Sequence, residues 1–157
     1  MLSTGNEKII LQNDSFKICF QFAEALYPAN VDIRADTWYF LYRVQINSRL
    51  INKLYFFDRY EFLNNGQLLV LEALGRKNQL FSSVTNQDLG IGHIVLIDLV
   101  SQKVCRFSEV HNGNFNNFRL NQDLLEYEKH FNGICQTFDI PFENLRWNDL
   151  SDYLVNK

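Results

Sequence analysis

The chain has 157 residues, 46% apolar and 15% aromatic, which is enough for one domain with a substantial core and too short for two comfortable ones. Only 21% of residues are charged and the net charge is −3, which excludes wholesale disorder. The 15 Lys and Arg against 18 Asp and Glu also lack the basic surplus of a dedicated nucleic-acid binder. The longest apolar runs, such as residues 38–42 and 94–97, are four or five residues long. A membrane helix needs about twenty. No charged start followed by an apolar stretch marks a secretory leader. Cys19, Cys105 and Cys135 are odd in number and far apart, the opposite of a disulfide framework or a zinc site. They read as reduced, mostly buried thiols of a cytoplasmic protein with no metal and no cofactor.

No repeat or linker divides residues 1–157, which read as a single domain. Residues 8–12 and 16–22 form an expected hairpin, with Phe16, Ile18, Phe20 and Phe22 alternating with polar or small neighbours and Asn13-Asp14-Ser15 at the turn. Residues 23–36, with Pro28, read as a loop. Residues 37–47 are a strand that places Trp38, Phe40, Tyr42, Val44 and Ile46 on one face. Residues 54–62 read as an aromatic strand ending at the turn Asn64-Asn65-Gly66. Residues 67–74 fit a short helix or a buried strand, and neither length nor flanks decide between them. Residues 92–99 and 103–107 form a second hairpin with Ser101-Gln102 at its tip, and Asp98 suits a cap on that turn. Residues 111–117 read as a loop.

Residues 121–132 read as a helix. Asn121 is its N-cap, Asp123 and Glu126 suit its positive start, and Leu124, Tyr127 and Phe131 make a stripe before the stop at Gly133. A last helix starts near Pro141 and buries Phe142, Leu145, Leu150, Tyr153 and Leu154. Strands first and helices late predict an α+β domain, a largely antiparallel β-sheet with C-terminal helices packed against it.

Catalytic signals are sparse. His93, His111 and His130 form no metal-spaced pair with each other. Glu126 and His130 stand four apart, so on a helix they share a face that could hold a metal or an acid–base pair, but no third ligand is near in sequence. The plainer reading is a solvated pair. His93 reads as a strand-end residue bonded to backbone, and His111 as a loop residue. Residues 34–61 interleave Arg34, Arg43, Arg49, Lys53 and Arg59 with Trp38, Tyr39, Tyr42, Tyr55 and Tyr60, as single-strand nucleic-acid surfaces do. Asp36, Asp58 and Glu61 reduce the segment to +2, which fits a sheet with aromatic core residues and outward cations.

Charge is uneven: residues 120–157 carry −4 and residues 1–119 carry +1. An acidic face on two terminal helices could steer a basic protein partner, with Asp123, Glu126, Glu128, Asp149 and Asp152 as candidate contacts. The alternative is a pair of ordinary amphipathic helices.

The run Ile94-Val95-Leu96-Ile97-Asp98, a turn, Lys103-Val104-Cys105-Arg106-Phe107, a polar loop and a helix with Leu124, Leu125, Tyr127 and Phe131 resemble the C-terminal half of the SUKH superfamily. Those are bacterial immunity proteins that neutralise toxins delivered by neighbouring cells. Leu11-Gln12-Asn13-Asp14-Ser15-Phe16 and Asp36-Thr37-Trp38 resemble the opening of another group of small immunity proteins, paired with cell-wall-associated toxins. The resemblance implies a small, acidic, non-enzymatic cytoplasmic protein that binds a cognate toxin domain and occludes its active site. A small enzyme or ligand-binding domain using the scattered His and Asp residues, and a structural adaptor or chaperone, are the alternatives.

Overall fold

The computed structural model describes residues 7–26, 39–80 and 90–156. The first half follows the alternation of the sequence. Strands β1 (Glu7–Gln12) and β2 (Lys17–Leu26) pair antiparallel, and the Asn13 side chain accepts the amides of Ser15 and Phe16 to close their turn. β2 runs on to Leu26, so residues 23–26 of the expected loop are strand, while residues 27–36 of it lie outside the described residues. β3 (Tyr39–Ile46) turns Val44 and Ile46 into the core and leaves Phe40 half exposed; Thr37 and Trp38 lie outside the described residues. After β4 (Arg49–Ile51) and β5 (Phe56–Leu63), residues 67–74 resolve into a strand, β6 (Leu68–Leu74), buried at every position. β7 (Ile91–Asp98) and β8 (Lys103–His111) form the second hairpin, and the Asp98 carboxylate accepts the amides of Val100 and Ser101 as its turn cap.

From there the α+β expectation is overturned. Residues 111–117 are the end of β8 and the start of β9 (Gly113–Asn121), with only Asn112 between them. Residues 121–132, read as a helix, are the end of β9, a turn and β10 (Leu124–Phe131), followed by β11 (Ile134–Pro141). Two features decide this. Asn132 (φ 50) and Gly133 (φ 73) are both left-handed, the conformation of a two-residue hairpin loop rather than of a helix stop. Leu125 and Tyr127 are buried while Glu126 and Glu128 face the other way, the period of two of a half-covered strand. The helix expected from Pro141 is two single turns of 3₁₀ helix, Phe142–Asn144 and Leu150–Asp152, separated by β12 (Asn148–Asp149) and followed by β13 (Leu154–Asn156). No C-terminal helices pack on the sheet, and the described fold is all-β. None of its helices is long and apolar enough to cross a membrane.

The strands make two antiparallel sheets. The larger runs β1-β2-β3-β5-β6-β7-β8-β12, with β4 joining β3 to β13; the smaller runs β11-β10-β9. One contiguous core cluster takes Ile18 and Phe20 from β2, Val44 and Ile46 from β3, Leu69 and Leu71 from β6, Val95 and Ile97 from β7 and Val104 from β8. The large sheet therefore wraps around its own inner face. Its outer face, with Leu68, Val70, Ile94, Leu96, Cys105 and Phe107, is covered by Phe115, Leu125 and Tyr127 of the small sheet. Each fully buried side chain of this size contributes about 1.5–3 kcal/mol. Cys19 and Cys105 are buried as expected, and Cys135 is exposed.

Gly113 marks the closest approach within the small sheet. A Cβ there would lie 2.1 Å from the His130 carbonyl oxygen and 2.8 Å from the Phe131 Cβ. Gly113→Ala forces β9 and β10 apart and should destabilise the protein by about 1–3 kcal/mol. Urea denaturation measures this, and an unchanged midpoint would contradict the pairing of these strands.

Candidate functional site

Two β-bulges shape the seam between the sheets. On β5, Phe57, Asp58 and Arg59 lie between the pairs Phe56↔Ala73 and Tyr60↔Leu71, so three residues oppose Glu72 alone. On β9, Asn117 and Phe118 oppose Tyr127 alone, with Asn117 at φ 54. A bulge re-aims side chains that a regular ladder would alternate. Here the two bulges open adjoining recesses of about 290 and 300 Å³ that share Glu61 and Phe118. Asp58, Arg59, Tyr60, Glu72 and Phe115 line the first, and Arg119, Glu126, Tyr127 and Glu128 line the second. The result is a trough with carboxylates at Asp58, Glu61, Glu72, Glu126 and Glu128 and guanidinium groups at Arg59 and Arg119.

Glu72 is the buried end of the trough. It points from β6 toward the small sheet, with its Oε2 2.8 Å from Arg59 Nη2. The Phe115 amide also donates to this carboxylate. Oε1 is buried with no hydrogen-bond partner among the described residues. Burial outweighs the Arg59 charge and pushes the carboxyl up to about 7. Glu61, nearer the surface, accepts the Phe118 amide, and partial burial raises its carboxyl above the usual range. Glu126 is 2.6 Å from Arg119 Nε across the β9–β10 ladder. Glu128 stands 3.1 Å from His130 Nε2 and accepts Asn117 Nδ2, contacts that hold its carboxyl below the usual range. At the rim, Lys8 Nζ is 3.2 Å from Asp58 and 5.5 Å from the Tyr60 ring centroid. The rim thus already receives an ammonium group, by charge and by the aromatic face.

Of the five contacts expected from sequence, Glu126 and Glu128 come together in the trough, by strand period rather than helix period. Asp123 is exposed in the turn between β9 and β10. Asp149 and Asp152 belong elsewhere: Asp149, on β12, is ion-paired with Lys103, and Asp152 is exposed in the second 3₁₀ turn. Glu126 and His130 do not act as a pair; His130 meets Glu128 and Cys135 instead.

The remaining candidates have structural work. His93 is fully buried; its Nδ1 bonds the Gly75 carbonyl at 2.7 Å and its Nε2 accepts Arg106 Nε at 3.0 Å. That pattern fixes the neutral tautomer with the proton on Nδ1. Burial and the Arg106 charge push its pKa down to about 3. Arg106 goes on to bond the carbonyls of Arg76 and Gln79, tying residues 75–80 to β8. A larger recess of about 670 Å³ beside them has the opposite sign, lined by Lys77, Arg106 and Arg146. His111 is exposed, 3.9 Å from Glu109.

Asp58, Glu61 and Glu72 were not singled out from the sequence. Glu72 carries the one usable signal, an acid inside the otherwise apolar run of residues 68–74. No protein-family model, curated protein or solved structure matches the chain significantly.

Glu72 should leave a pH signature. Its folded pKa lies above its unfolded value of 4.5, so between pH 4.5 and 7 the folded state binds more protons and stability falls as pH rises. In Glu72→Gln that loss, up to about 3 kcal/mol, is removed. Urea denaturation of both proteins from pH 4.5 to 8 should show the wild type losing stability relative to the variant. Parallel pH profiles would contradict the raised pKa.

Proposed function

We propose that this chain is a non-catalytic binding protein that engages a basic partner through the acidic trough, and that the partner is a cognate bacterial toxin domain whose active site it covers in the cytoplasm. One observation carries the reading: five carboxylates and two arginines line two adjoining recesses, one at the seam between the sheets and one beside it at the edge of the small sheet. They sit on paired strands, so the field they project is preorganised. A toxin that acts on nucleic acid needs a basic active site, and an acidic seam complements it in sign. The partner's Lys and Arg side chains would meet the arrangement that Lys8 meets at Asp58 and Tyr60. The resemblance to immunity proteins over residues 11–16 and 94–107 supports a toxin as the partner. Its third part, residues 124–131, is a strand rather than a helix.

The mechanism is occlusion with electrostatic steering. Complementary charge raises the encounter rate by about 10–10³-fold at low salt, and salt screens it away. The test uses a toxin domain encoded beside this chain's gene and measures association at several salt concentrations. Glu61→Lys combined with Glu126→Lys should slow association by about tenfold or more at low salt and flatten its salt dependence. Unchanged rate and salt dependence would overturn the trough as the binding face, and absence of any binding would overturn the toxin partner.

A further inference from the structure

The outer face of the β10–β11 hairpin carries a second cluster, and we propose that Glu128, His130 and Cys135 form a zinc site with an open coordination position. The register places it. His130 and Cys135 are directly opposed across the ladder, and Glu128 lies two residues before His130 on the same face. One carboxylate oxygen, one imidazole nitrogen and one sulfur thereby fall within 4.8 Å of one another.

The spacing matches the ion. Zinc bonds of about 2.3 Å to sulfur and about 2.0–2.1 Å to nitrogen and oxygen give tetrahedral edges of roughly 3.5 Å between S and N and roughly 3.3 Å between N and O. Cys135 Sγ stands 3.5 Å from His130 Nε2, and His130 Nε2 stands 3.1 Å from Glu128 Oε1. The donors therefore hold two of the three edges of a tetrahedral face without a side-chain rearrangement. A thiol with an imidazole selects a borderline-soft ion over calcium or magnesium, which favour oxygen. Asn117, bonded to Glu128 Oε1, steadies the carboxylate as an outer-shell partner. Lys129, the nearest cation in sequence, faces away and donates to the Glu109 carbonyl.

Binding replaces the Cys135 S–H bond with an S–Zn bond and releases one proton to solvent, while His130 binds through the lone pair of neutral Nε2. Three protein donors leave the fourth position to water or to a donor from another molecule. The site is independent of the toxin reading, although Glu128 belongs to both surfaces.

Calorimetric titration of the chelator-treated full chain with zinc should give one equivalent bound, with proton release. Cobalt should give the thiolate-to-cobalt charge-transfer absorption of a tetrahedral site. Outer-shell partners alone are worth about 10–100-fold in metal affinity, so Cys135→Ser and His130→Ala should each weaken zinc binding by at least about tenfold. Cys135→Ser should also abolish the charge-transfer absorption. Cys135 is exposed, so Cys135→Ser should keep the metal-free Tm, which separates loss of a ligand from loss of the fold. Glu61→Lys, which alters the trough, should leave zinc binding intact. Absence of zinc binding would overturn the site. So would binding that survives Cys135→Ser, or binding lost only in Glu61→Lys.

Discussion

Strand β6 is buried at every residue from Leu68 to Leu74, so both of its faces must be covered. The large sheet covers one by wrapping around it, and the small sheet covers the other. A strand enclosed on both sides reads as a near-continuous apolar run, as this one does apart from Glu72. That single acid meets the covering sheet. β9 is an edge strand of the small sheet, and two of its amides find acceptors across the seam, Phe115 in Glu72 and Phe118 in Glu61. An uncovered strand edge invites unwanted pairing, and carboxylates that accept its amides blunt it. The groups that dock the small sheet are thus also the groups that line the trough.

Two buried polar side chains show how satisfaction separates structure from site. His93 has a partner on each ring nitrogen, both supplied by the fold. It fixes residues 75–80 and has no capacity left for a ligand. Glu72 meets Arg59 and the Phe115 amide, and its Oε1 has no hydrogen-bond partner among the described residues. A buried acceptor left open costs about 1–3 kcal/mol, more when charged, and its raised pKa is the same cost expressed as proton affinity. The ion pair does not repair this, because Arg59 remains partly in water.

Much of the strand pattern was legible in the sequence. The first hairpin, the 92–107 hairpin and the Asp98 turn cap follow from alternation and turn chemistry acting over a few residues. The last third misled because Leu124, Tyr127 and Phe131 have helical spacing, and Asn121 and Gly133 stand where helix caps would. Asn132-Gly133 is the discriminating signal: Asn followed by Gly tolerates two left-handed residues in succession, which a hairpin needs. Reading the hairpin there returns Leu125 and Tyr127 to one face and Glu126, Glu128 and His130 to the other. The acidity of residues 120–157 was real, but its placement on terminal helices was not. The trough had weaker signals, because bulges leave no mark in composition. Asp58 lies within the β5 irregularity, which pairing across the sheet creates, and Glu61 follows it in regular register opposite Val70. Cys135 reaches His130 through hairpin register, which a helical reading of residues 121–132 hides.

A partner bound at the trough, as proposed, leaves the basic recess beside β8 uncovered. Amide hydrogen exchange of the free chain and of its mixture with the proposed toxin partner distinguishes the two surfaces in one experiment. Binding at the trough should slow exchange in residues 58–61 and 115–128 and leave residues 103–107 and 140–153 unchanged. Protection confined to residues 103–107 and 140–153, with the trough exchanging as in the free chain, would contradict it.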